Sequence, residues 1–219
     1  MRKWSVPLKG ATRDLGYLVG LFGQEESVSV QPSDGEYVLL SDEFERLTDA
    51  GIIWNRAAEI VGAMCGLASA SKSTFQQVAV GSAVLERTPD GIRKHGFGGS
   101  HAVVWITASE AGSGDGTRSI QGQPRYADLL QEADRDEEKR SVLTEWGKAR
   151  DWPELYVVYE MVKRRVGPPE KWRRFTQTAQ MYRHAQGEKH EPPAHPMSLA
   201  EARSFIAGFV NSWIRGGMK

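Results

Sequence analysis

Three of the chain's five histidines, His184, His190 and His195, fall in one stretch, RHAQGEKHEPPAHP. Clustered imidazoles can ligate a metal or move a proton near neutral pH. The first use needs rings that converge. Gly187, Pro192, Pro193 and Pro196 interrupt the stretch, so the three rings cannot share a helix face. The nearby carboxylates that could orient them are Glu188 and Glu191 alone. No metal site is expected. Just upstream, KRRVGPPEKWRRF sets Lys171, Arg173 and Arg174 around Trp172 and Phe175. Cations bind phosphate oxygens and flat rings stack on unpaired bases, so Lys171, Trp172, Arg173 and Arg174 are candidate nucleic-acid contacts. The plainer alternative is that the cations solvate helix ends while Trp172 packs in the core.

No other stretch names a chemistry. KHGFGGSHAVVW is rich in glycine but lacks the Lys-Ser/Thr of a phosphate loop and the third glycine of a dinucleotide fingerprint. A permissive hairpin explains it better. Cys65 is the single cysteine, which excludes an intramolecular disulfide and a cysteine zinc site. Within GAMCGLA it reads as a small inert hydrophobe. Neither a Gly-x-Ser-x-Gly elbow nor a His-Glu-x-x-His helix occurs, and no cofactor is expected.

The elements that must position these residues are legible from periodicity. WSVPLKG alternates Trp4, Val6 and Leu8, as a half-buried strand does, and TRDLGYLVGLF sets Leu15, Leu18, Val19 and Phe22 at helical spacing. SVSVQPSDGEYVLL reads as two strands about a Ser-Asp-Gly turn, with Gly35 taking a positive φ. Asp42 and Glu45 have capping-box spacing for a short helix around Phe44. A longer helix should bury Ile53, Ala57, Ile60, Met64 and Leu67. QQVAVGSAVLERT, IRKHGF and HAVVWITAS look like strands joined by hairpins, one of them turning on Pro-Asp-Gly at 89–91. ASEAGSGDGTRSIQGQP has linker composition and is the expected first site of proteolysis. Beyond it the signals are helical: RYADLLQEADRDEEKRSVLTEWGKA; PELYVVYEMVKRRVG, with Leu155, Val158, Tyr159 and Val162 on one face; and SLAEARSFIAGFVNSWI, with Ser198 and Glu201 as a capping box and Phe205, Phe209 and Trp213 in a row. The fold class is therefore α+β. A small α+β domain with an antiparallel or mixed sheet occupies 1–108, a linker 109–124 and an all-α unit 125–219.

Composition supports a folded chain. Hydrophobic residues make up 40% and charged residues 26% of the 219, as in ordinary globular proteins. Lys+Arg and Asp+Glu both number 28, so any binding to nucleic acid must come from a local patch. No apolar run reaches membrane-spanning length and the first fifteen residues lack a leader's apolar core, so a cytoplasmic protein without membrane contact is expected.

A polar segment carrying Arg and His, followed by a capped amphipathic helix, resembles the HEPN superfamily. Its catalytic members carry Arg, four to six residues, then His, and RHAQGEKH fits with Arg183, the polar His184 and then His190. The resemblance covers the last third of the chain. It implies a helical bundle, a homodimer through the C-terminal helices, and RNA binding or metal-independent endoribonuclease activity of the kind found in toxin–antitoxin and anti-phage systems. Arg183, His184 and His190 are then the candidate catalytic residues. A neutral histidine can take the ribose 2′-hydroxyl proton, and arginine can donate a fork of hydrogen bonds to the phosphate. The alternative from a different class is a non-catalytic interaction module whose C-terminal helices dock a partner protein.

Overall fold

Trp4, Val6 and Leu8 are buried on one side of strand β1 (Trp4–Lys9), and the sheet is built around them. In the computed structural model, which describes residues 2–23, 27–72, 74–97, 125–166, 172–183 and 193–216, β1 is the central strand of an antiparallel six-stranded sheet. The other strands are β2 (Val28–Ser33), β3 (Glu36–Ser41), β4 (Ala79–Val80), β5 (Ala83–Thr88) and β6 (Gly91–Gly96). Their order is β2-β3-β1-β5-β6, with the short β4 also pairing with β1. The β2–β3 hairpin turns through Asp34 and Gly35, both at positive φ (50° and 81°), which matches the right-handed twist of the strands it joins. The β5–β6 hairpin turns at 89–90 and enters β6 at Gly91.

Helix α1 (Thr12–Phe22) buries Leu15, Leu18 and Phe22. The expected capping box at Asp42 and Glu45 does not form. Phe44–Arg46 is a single 3-10 turn without a side-chain cap, and the Glu45 carboxylate instead accepts from the main-chain N–H of Lys3 at 2.8 Å. Asp42 pairs with Arg2 at 2.9 Å. A residue needed by a neighbouring strand was thereby withdrawn from local capping.

Helix α2 (Ala50–Ser71) starts on Asp49, whose side chain accepts from Ile52 N at 2.9 Å. Its predicted face is buried, and so are Val61, Cys65 and Ala68, because α2 lies between the sheet and the C-terminal helices. The helical stretch after 125 divides at Asp136. Helix α3 (Tyr126–Arg135) ends there, and the Asp136 side chain caps α4 (Glu137–Lys148) by accepting from Glu138 N and Lys139 N. Helices α5 (Trp152–Val166), α6 (Trp172–Arg183) and α7 (Leu199–Ile214) follow. The Ser198–Glu201 capping box forms with both of its bonds, at 3.1 and 2.7 Å.

α2 packs on α4 more extensively than any other two elements meet. The contact is close because both helices present glycine. A Cβ on Gly66 would overlap the Leu143 carbonyl oxygen, and one on Gly147 would stand 2.9 Å from the Gly62 carbonyl. Arg56 of α2 adds a polar strap, bonding Glu43, Glu59 and Asp134 of α3. One continuous core runs from Trp4 to Ile214, so boundaries at 108 and 124 do not separate two cores. The linker 109–124 and the expected strand at 101–108 lie outside the described residues. No helix among the described residues is long and apolar enough to cross a membrane.

Candidate functional site

Trp172 opens α6 and faces inward. It is 3% exposed, with the Phe209 ring stacked on it at 4.4 Å and Tyr159 at 4.5 Å. The expectation that Trp172 stacks on unpaired bases is therefore corrected: its faces are occupied by α5 and α7. Burial follows from position, since Trp172, Phe175 and Ala179 fall on one side of α6 and are all buried.

Arg174 serves the fold. Its Nε donates to the His195 carbonyl at 2.7 Å, and its Nη2 donates to the Pro196 carbonyl at 3.3 Å and to Glu201 at 3.5 Å. Together with Met197 N donating to Thr178 Oγ1 at 3.1 Å, these bonds tie the approach to α7 onto α6. Arg173, one residue earlier, points away from the core and is exposed. His195 is exposed at the turn that Arg174 holds. Arg183 is the last residue of α6; its side chain, with Lys171, His184 and His190, lies outside the described residues. The structure thus brings Arg174 and His195 together. Among the described residues no group of three metal-ligating side chains occurs.

The other described histidine, His95 on β6, has its Nε2 2.9 Å from Glu86 Oε2. Lys3 stands 3.2 Å from the same carboxylate and Arg93 3.6 Å from it. The hydrogen bond from His95, then Lys3 and Arg93, hold Glu86 below the usual carboxylate range. This network joins Lys3, just ahead of β1, to β5 and β6, and sequence spacing gave no sign of it because its members meet only once the strands pair. Cys65 is fully buried, with its sulfur between the Val78 N–H and carbonyl, and burial pushes the thiol up to about 12. A thiol so placed forms little thiolate near neutral pH.

A surface that sequence reasoning did not single out lies along α5. Leu155, Val158 and Val162 are buried, yet Val157 on the other side is 49% exposed and Tyr156 and Met161 are half-buried. These side chains line one wall of a groove of about 1300 Å³, whose opposite wall is the start of α4. The signal was present in the run LYVVY, which is apolar on more sides than one buried face needs. Glu154 is exposed near the start of this helix and Arg164 near its end, while Glu160 and Lys163 pair at 2.5 Å between them. No protein-family model, curated protein or solved structure matches the chain.

Proposed function

We propose that this protein is an interaction module that acts as a homodimer through its C-terminal helices, α5 of one copy lying against α5 of the other. The observation that carries the reading is the exposure of Val157 in the middle of α5, beside the half-buried Tyr156 and Met161. A second copy is the occupant that the charges suit. In an antiparallel crossing centred between Val157 and Met161, Glu154 meets Arg164 of the second copy, and the two-fold axis repeats that pair at the other end. Sedimentation should give twice the 24.3 kDa of one chain. Val157→Asp should return the protein to a monomer with its helix content unchanged, because an exposed position tolerates the charge. A wild-type chain that is monomeric at its highest soluble concentration ends this reading.

A second reading, RNA binding or metal-independent RNA cleavage of the HEPN kind, is supported by exposed Arg173 and by α6 ending at Arg183, which starts the Arg-to-His motif at a helix edge. The dimer would then bring two such motifs to one RNA, with His184 or His190 as base and Arg183 on the phosphate. RNA binding should weaken as salt rises and on changing Arg173 to Glu. Cleavage should survive EDTA and fail when the true base is replaced by Ala. Absence of RNA binding at low salt removes this reading and leaves the interaction module.

A further inference from the structure

A cleft of about 380 Å³ opens where the sheet meets the C-terminal helices. It is bounded by the start of β2, the 3-10 turn after β3, the middle of α2, the end of α3 and the first turn of α4. Small-molecule sites usually measure about 300–1,000 Å³, so the cleft is of that kind. Its floor is aliphatic. Val28, Ile60, Ala63 and Leu130 belong to the core yet keep 4–7% of their surface open, whereas Val30, two residues along β2, is fully closed. Among the described residues no aromatic ring lines the cleft.

The rim carries both signs of charge, and part of each is unmatched. Two of its carboxylates are fully engaged, Asp42 by Arg2 and Glu43, through both oxygens, by Arg56. Arg56 also holds Glu59 and Asp134, but through one oxygen of each. Glu59 Oε1 and Asp134 Oδ2 have no donor among the described residues, and both side chains reach water. Arg46 and Arg135 are exposed and make no ion pair or side-chain hydrogen bond among the described residues. Ser41 is buried in the cleft wall, where its Oγ accepts from Glu43 N at 3.2 Å. Its hydroxyl proton has no acceptor among the described residues. A ligand of a single charge would meet a repelling group whichever way it lay.

We propose that this cleft binds a free aliphatic amino acid of the size of leucine. A zwitterion meets each unmatched charge with its opposite. Its carboxylate is received by the unengaged donors Arg46, Arg135 and Ser41, and its ammonium by Glu59 and Asp134. Its branched side chain covers the aliphatic floor, which offers an aromatic ligand no ring to stack on. The cleft shares only Arg135 with the α5 groove, so it stands or falls without the dimer or the RNA reading.

The test is thermal unfolding of the full chain with L-leucine titrated at constant ionic strength. A ligand that binds only the folded state raises the midpoint in proportion to the logarithm of its concentration once above Kd. Glycine, with the same charges and no side chain, controls for solvent effects. Two further probes each remove one charge: 4-methylpentanoate lacks the ammonium and 3-methylbutylamine lacks the carboxylate. The wild type should bind leucine about tenfold more tightly than either, the worth of one charge-assisted hydrogen bond. Arg46→Gln should fold normally, since Arg46 is exposed, and should bind leucine no better than 3-methylbutylamine. Glu59→Gln should narrow the preference over 4-methylpentanoate, while Arg173→Gln on α6 should change nothing. If a variant does not fold, the ranking of the four probes on the wild type decides. An equal response to leucine and 4-methylpentanoate, a leucine response unchanged in Arg46→Gln, or none beyond that of glycine overturns the proposal.

Discussion

Replacing Gly66 by alanine is expected to destabilise the protein by roughly 3 kcal/mol, the upper end of what overpacking costs, because one methyl group meets main chain that cannot rotate away. The added carbon would overlap the Leu143 carbonyl and crowd the Leu143 backbone, so α2 and α4 must separate along their whole contact. Gly208 in α7 is the internal control. A Cβ there meets nothing within 4 Å, and alanine at an exposed helix position should stabilise by up to about 1 kcal/mol. Urea unfolding of both variants measures the difference. Equal midpoints for the two would mean that the close crossing of α2 and α4 is wrong.

Trp172→Ala should cost roughly 3–5 kcal/mol, the range for an aromatic removed from a core. The loss is shared by three helices, since the ring touches Tyr159 of α5 and both Phe205 and Phe209 of α7. Trp172→Phe should keep most of the stability. If Trp172→Ala instead left the unfolding midpoint in place and weakened only RNA binding, the ring would be a surface platform and its burial here incorrect. Phe209→Ala should cost less than Trp172→Ala, because Phe209 is only partly buried.

The same comparison shows where sequence patterns carried information. Period-two and period-3.6 hydrophobicity placed β1, the β2–β3 hairpin, α2 and α7 correctly, since each buries a face whose spacing is written locally. On α7 the aromatic row is not the most deeply buried one. Ile206, Val210 and Ile214 are fully buried, whereas Phe205, Phe209 and Trp213 are half-buried, Phe205 and Phe209 lying against Trp172. α7 packs against α5 and α2, and the aliphatic row is the one it buries. For Trp172 the sequence left two readings open, base platform or core ring, for a related reason. A basic aromatic string has the same composition whether its ring points to solvent or to a core, and only the helix phase of α6 decides. The α2–α4 crossing was legible in principle from Gly62 and Gly66 four apart in GAMCG, yet the partner Gly147 lies 81 residues beyond Gly66, which no local pattern reveals.

The central place of α2 has a consequence during synthesis. The ribosome delivers α2 well before the helix that covers it: about 77 residues separate Ser71 from Lys148, roughly 4–15 s of elongation at about 5–20 residues per second. Through that interval the nascent chain carries an apolar, glycine-notched surface whose closest partner, α4, has not yet been made. Hydrophobic surface left open for seconds is what chaperones bind and what aggregates between neighbouring chains. A chain released before α4 is complete would be cleared or precipitate, so production of this protein depends on elongation reaching Lys148 as well as on the final fold.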